Sequence, residues 1–339
     1  MFNVKNKNFI NTQDWSKEEL DYVLTLAEDM KRNGWRKTVE GKTLAMLFFN
    51  PSLRTRTSFE VAMYQLGGHA ITLQPGKDAW GIEIKEGVKM DGDAEEHIKE
   101  ATNVLSRFCD AIAVRSFPKF QNWDEDKRDS TLATICKWSS KPVINMETIR
   151  HPCQELALMM AIRSHFNNRQ EKKKFLLTWT YHPKPLNMAV ANSAAMISTR
   201  YGMNLTILCP KGYDLDKTFI DIASKNAVAY GGKVTVTDDI RLAYSGADFV
   251  YAKSWGSLEY YGRWDEEKKI RDGQKHFIVD SDKMKLTNNA FFSHCLPLRR
   301  NIKATDEVVD SKNSLIYEEA ENRLHTERAL LSAILGNNG

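Results

Sequence analysis

The chain has 339 residues, 42% hydrophobic and 27% charged, the balance of a folded globular protein and longer than one core usually supports, so two domains are expected. Forty-eight basic against 44 acidic residues leave a net charge of +4, too mild for a nucleic-acid footprint; the run Lys172-Lys173-Lys174 reads as a solvated turn before a strand. No apolar run approaches the ~20 residues of a membrane span, Met1–Lys5 carries no apolar leader, and five cysteines without a CxxC pair suit reduced thiols in the cytoplasm.

The first predicted helix has a capping-box pair, Ser16 and Glu19, a stripe of Leu20, Val23, Leu24, Ala27 and Met30, and a stop at Gly34. Residues 43–49 then form a short apolar run that fits a buried strand. A turn at Asn50-Pro51-Ser52 leads into a helix over 54–66, closed by Gly67-Gly68. Strands are expected at 69–73, 111–115 and 142–145. A helix over 151–162 bridges to a second series at 174–179, 204–209, 233–237, 249–252 and 291–294, and a final helix begins at Glu319. Strands alternating with helices, nearly all apolar, imply parallel sheets covered on both faces. The expected architecture is α/β, with two doubly wound parallel-sheet domains and the active site in the cleft between them, at strand carboxyl ends.

Ser52-Leu53-Arg54-Thr55-Arg56-Thr57-Ser58 sits where a strand hands over to a helix. Amide hydrogens, hydroxyls and guanidinium groups at a helix start make an anion site of phosphate size, although capping by Ser52 alone would explain one hydroxyl. Gly41-Lys42-Thr43 mimics the end of a P-loop, but Arg36 stands where the earlier glycine is required and the triplet precedes a strand. The chain after 174–179, Thr180-Tyr181-His182-Pro183-Lys184-Pro185, is too stiff for a dinucleotide turn, which disfavours a Rossmann dehydrogenase. His151-Pro152-Cys153-Gln154 opens another helix and could polarise a carbonyl and grip its amino group; a capped, partly buried histidine is the plainer alternative. In His294-Cys295-Leu296-Pro297 the proline cannot continue a strand, so the chain must turn and expose backbone groups. Cys295 has no assigned base nearby and reads as a buried thiol. No metal-ligand spacing occurs, and neither a metal nor a cofactor is expected.

Ser52–Thr57, His151–Gln154 and His294–Pro297, in this order and spacing, resemble the aspartate/ornithine carbamoyltransferase superfamily over nearly the whole chain. The resemblance implies a homotrimer. Residues 1–150, with the tail 319–339 returning to them, would hold carbamoyl phosphate, and 151–318 the amino acid. It places Ser52, Leu53, Arg54, Thr55 and Arg115 on the phosphate, with Arg54, His151, Gln154 and Cys295 as the catalytic set. Pro152, Cys153, the backbone of Cys295 and Leu296, and Arg323 complete the carbamoyl phosphate pocket, and Trp80 is donated by a neighbouring subunit. A rate rising toward alkaline pH follows, because the attacking amine must be neutral.

Ala252-Lys253-Ser254-Trp255-Gly256, Leu298-Arg299-Arg300-Asn301-Ile302-Lys303 and the tryptophan in Gln74–Trp80 depart from the ornithine pattern and resemble the superfamily's acylornithine branch. That resemblance places Glu95, Glu147, His182, Lys253 and Arg299 on the acylated ornithine and suggests a carboxylated Lys303. A carbamate beside Arg299 and Arg300 would be electrostatically more comfortable than a third cation. It favours N-acetylornithine as acceptor, because Glu95 would repel the extra carboxylate of a succinyl group; N-succinylornithine and free ornithine are the alternatives. The plainer reading of Glu95 is a first-turn acid favoured by the helix dipole.

Overall fold

The computed structural model describes residues 4–336, which form two compact units. One takes in the chain up to 119, 124–156 and from 323 onward; the other holds 120–123 and 157–322. The divisions at 156 and 322 fall inside helices, not at the expected 150 and 318. The last three residues of the expected final helix lie outside the described residues.

The first unit is built on four parallel strands in the order β2-β1-β5-β6, where β1 is Thr43–Phe48, β2 His69–Leu73, β5 Ala111–Arg115 and β6 Val143–Glu147. A parallel pair of two residues each, β3 (Ile82–Glu83) and β4 (Glu96–His97), stands apart from this sheet. The central strands are almost wholly buried, as their continuous apolar runs require. Leu47, Ile112, Val114 and Val143 meet Ile98, Leu132 and Ile135 from two helices in one core cluster. Asp110 fixes the entry to β1, accepting from the Thr43 amide at 2.9 Å and from Lys42 Nζ at 3.0 Å. The helix Lys17–Asn33 has the expected capping box, buries the expected stripe, and stops at Gly34, whose φ of 86° a side chain would strain.

The second unit repeats the plan with five parallel strands in the order β11-β10-β7-β8-β9. These are β7 (Lys174–Trp179), β8 (Asn204–Leu208), β9 (Lys233–Thr237), β10 (Phe249–Lys253) and β11 (Phe291–Ser293). Both units therefore present adjacent strand carboxyl ends, where doubly wound sheets bind ligands. Coverage of both faces fails at two strands. The edge strands β2 and β9 are largely part-exposed, whereas the opposite edges β6 and β11 are mostly buried.

Candidate active site

In the first unit the chemistry-bearing residues stand at the ends of three neighbouring strands. The chain leaves β1, turns, and enters the helix Arg54–Gln65. Asn50 Oδ1 accepts from the Phe117 amide at 2.7 Å and Phe49 N donates to Arg115 O at 3.0 Å, so the turns after β1 and β5 are stitched together. Ser52 Oγ accepts from the Thr55 amide at 3.2 Å, bracing the turn from one position ahead of the N-cap residue Leu53. Two further hydroxyls are spent locally: Thr57 donates to Leu53 O and Ser58 to Thr55 O. Arg56 faces away, paired with Glu60 at 2.9 Å. At the helix start itself Arg54 is half-buried and Thr55 buried. Leu53 is 77% exposed and could contribute there only through its backbone.

Arg115 ends β5 and Glu147 ends β6, brought opposite each other by a register shift after Val114. Their side chains form a close ion pair, and the Arg115 guanidinium lies 4.5 Å over the Phe117 ring. Glu147 also lies 3.6 Å from His151 Nε2. The link from β6 to His151 is braced from beneath. Asn145 Nδ2 donates to Thr148 Oγ1 at 3.0 Å, Thr148 donates to the Asp129 carboxylate, and the Thr148 amide closes a turn on Arg150 O. Burial pushes the Asp129 carboxyl up to about 6 against the pull of Thr148 and Arg150. The carbonyl of His151 then starts the helix Pro152–His165 by accepting from the Gln154 and Glu155 amides.

Arg323, from the helix Ile316–Leu335, joins these pieces. Its Nη1 donates to Gln154 Oε1 at 3.0 Å and stands 3.4 Å from His151 Nε2, while Nη2 donates to Thr55 Oγ1 at 3.2 Å. Thr55, His151, Gln154 and Arg323 are thus one buried polar cluster. Cys153 faces inward, its thiol 3.5 Å from Asn145 O, and burial drives its pKa far up, so it offers no thiolate nucleophile.

The second unit has its own cluster at the ends of β7, β10 and β11. After β11 the turn puts Leu296 at a φ of 53°, unusual for a branched side chain, and the Leu296–Pro297 peptide is cis. The Leu296 amide donates to His294 Nδ1 at 2.9 Å, and His294 Nε2 lies 3.3 Å from Lys303 Nζ. With Nδ1 accepting, a neutral ring would carry its proton on Nε2, facing the Lys303 amine. Burial, with Lys253 and Arg299 nearby, lowers the Lys303 pKa to about 7. Lys253, the last residue of β10, reaches Cys295 Sγ at 3.5 Å. Arg299 Nε donates to His182 Nε2 at 3.1 Å, and burial together with Lys303, Arg299 and Lys253 holds His182 near pKa 4 and uncharged. Arg300 is otherwise engaged. It pairs with Asp306 and Asp310, so the cation beside Lys303 and Arg299 is Lys253, not Arg300.

Two expected residues stand apart from these clusters. Trp80 is 68% exposed at the end of a turn closed by Asp78, which accepts from the Gln74 amide at 2.6 Å. With Lys77, Leu47 and Glu96 it borders a cavity of about 570 Å³ within the first unit. Glu95 is exposed and is not a first-turn acid; the helix begins at Ile98 behind a His97 cap, so the first-turn acid is Glu100. Sequence reasoning passed over Glu327 and Asp129. Glu327 could have been suspected from its i,i+4 spacing to Arg323, whereas nothing local marked Asp129.

Residues 7–164 match the family model described as the aspartate/ornithine carbamoyltransferase carbamoyl-P binding domain, and residues 186–334 that described as the Asp/Orn binding domain. The chain belongs to the aspartate/ornithine carbamoyltransferase family. Within it the chain is 57% identical, over 98% of both chains, to the N-acetylornithine carbamoyltransferase of Xanthomonas axonopodis pv. citri (strain 306). It is 36% identical, over 98% of itself and 99% of the relative, to the N-succinylornithine carbamoyltransferase of Bacteroides fragilis (strain 638R). A crystal structure of acetylornithine transcarbamylase complexed with acetylcitrulline superposes with a TM-score of 0.96 at 57% identity, covering 98% of this chain and all of that one.

Proposed function

We propose that the chain transfers the carbamoyl group of carbamoyl phosphate to the δ-amine of N-acetyl-L-ornithine, yielding N-acetyl-L-citrulline and phosphate. The observation that carries this reading is the convergence of Thr55, His151 and Gln154 on Arg323 beside a phosphate-sized helix start. Ser52, the Leu53 backbone, Arg54, Thr55 and Arg115 take the phosphate. His151, Gln154 and Arg323 meet the carbamoyl oxygen and amino group, and the backbone of Cys295 and Leu296 faces the same amino group. The neutral δ-amine attacks the polarised carbonyl, fixed donors stabilise the oxyanion, and the C–O bond to phosphate breaks with its charge already matched. Glu147, His182, Lys253 and Arg299 hold the acylated ornithine, the cations suiting its carboxylate. Arg115 and Glu147, paired with each other here, each turn to their own substrate. An assay following ureido product and phosphate together tests the reading: equal yields that rise toward alkaline pH are expected. Phosphate release without ureido product would refute it.

The carbamoyl phosphate half comprises 1–150 with the tail from 319, and the acylornithine half 151–318. The five cysteines are free thiols and no helix among the described residues is long and apolar enough to cross a membrane, which suits a cytoplasmic step of arginine biosynthesis. The exposure of Trp80 supports a homotrimer in which this ring covers a neighbour's site. Mixed trimers of Trp80→Ala and Arg54→Ala subunits should regain activity that neither variant shows alone, because one site type is then whole; verified mixed trimers with no recovery would refute sharing.

Lys303 is carboxylated in this reading. Its amine, pKa about 7, is the neutral nucleophile that carbon dioxide needs, and the carbamate gives Lys253 and Arg299 an anion. Since the free amine gains neutral fraction as pH rises through 7, a carbon-13 carbamate signal from labelled bicarbonate should grow between pH 6 and 8 and vanish in Lys303→Arg. A bare amine at high bicarbonate and pH 8 would defeat the assignment.

A further inference from the structure

The polar cluster of the first unit has a member that touches none of the expected ligand-binding groups except one. Glu327 lies one turn beyond Arg323 on the same helix, 1% exposed, and its Oε1 accepts from Arg323 Nε at 2.9 Å and Nη2 at 2.7 Å. A guanidinium has five donors in one rigid plane, so two donors held on one oxygen fix where the others point. What remains is Nη1, directed at Gln154 and His151, and the second hydrogen of Nη2, directed at Thr55. The long arginine side chain would otherwise have several rotamers, and most of them would turn these donors away from the cluster. The placement is also costly, since burial opposes ionisation of the Glu327 carboxyl and Arg323 offsets this only in part.

We propose that Glu327 is the positioning residue for Arg323, setting the guanidinium plane that faces the carbamoyl group; it touches neither substrate. The inference rests on the reading of this cluster as the carbamoyl-transfer centre. An acid that merely neutralised a buried arginine would serve from any side. Glu327 instead holds Nε and Nη2 from one side, so that Nη1 is directed at Gln154 and His151.

Steady-state kinetics of Glu327→Gln, with melting temperature measured on the same preparation, test the proposal. The amide keeps the size and one acceptor but loses the charge that orients the fork. The expected result is a kcat at least tenfold lower, with KM for N-acetylornithine within about twofold of wild type and the fold retained. An unchanged kcat would overturn it, as would a parallel loss of kcat and worsening of both KM values, which marks general loosening. Should Glu327→Gln not fold, Glu327→Asp is judged by the same criteria, and failure of both to fold would make the residue purely structural and reject the proposal. Wild-type enzyme assayed alongside separates the two readings: if it forms no ureido product, the functional assignment falls first.

Discussion

Arg54→Ala is expected to weaken carbamoyl phosphate binding at least tenfold while leaving the fold intact. Arg54 is the first residue of its helix, where amide hydrogens and the positive end of the dipole already favour an anion. Its side chain is half-buried, and the neighbouring Arg56 pairs with Glu60. A charge-assisted bond to phosphate is worth about 1.5–3 kcal/mol, which corresponds to roughly ten- to a hundredfold in affinity. The surrounding structure should tolerate the change, since Ser52 holds the turn and Asn50 ties it to the strand beside it. Titration of the variant with carbamoyl phosphate, read by calorimetry, gives the number. An unchanged dissociation constant in a folded variant would remove Arg54 from the phosphate site.

Glu95→Pro is expected to gain N-succinylornithine carbamoylation that the wild type lacks. Glu95 is exposed and immediately precedes β4, so its carboxylate has no packing duty that substitution would break. Facing a bound acyl group, that carboxylate would meet the second carboxylate of a succinyl chain as a like charge, and its bulk would occupy the same space. Proline removes both and, lying before the helix at 98, interrupts no helical hydrogen bond. The readout is kcat/KM for both acylornithines, wild type against variant. Efficient wild-type use of N-succinylornithine, or no gain in the variant, would remove Glu95 from the specificity pocket.

The strands were the most legible part of the sequence. The runs at 69–73, 111–115, 174–179 and 233–237 end where expected because a parallel strand is short, apolar and bounded by polar turns. The two-residue pair β3–β4 was not legible, because segments so short have no period. Ser52, Thr55, His151 and Gln154 could be singled out because they crowd into the first turns of two helices. Arg323 came into view only through the family resemblance, since 268 positions separate it from Thr55. In the second unit, the proline after Leu296 announced a turn at the end of β11. What the sequence concealed was the environment of Lys303: its basicity is lowered by burial, Lys253 and Arg299, and only folding assembles these.

The central claim is that this chain carbamoylates an ornithine whose α-amine is already acylated. A free α-ammonium would have to be buried near Lys253 and Arg299, where like charge repels it; acylation removes that charge. The most direct measurement is a competition in which the wild-type protein receives carbon-13 carbamoyl phosphate and equimolar N-acetylornithine, N-succinylornithine and ornithine, with products resolved by mass spectrometry. The label is predicted to appear in N-acetylcitrulline almost alone. Labelled citrulline as the main product would contradict the account.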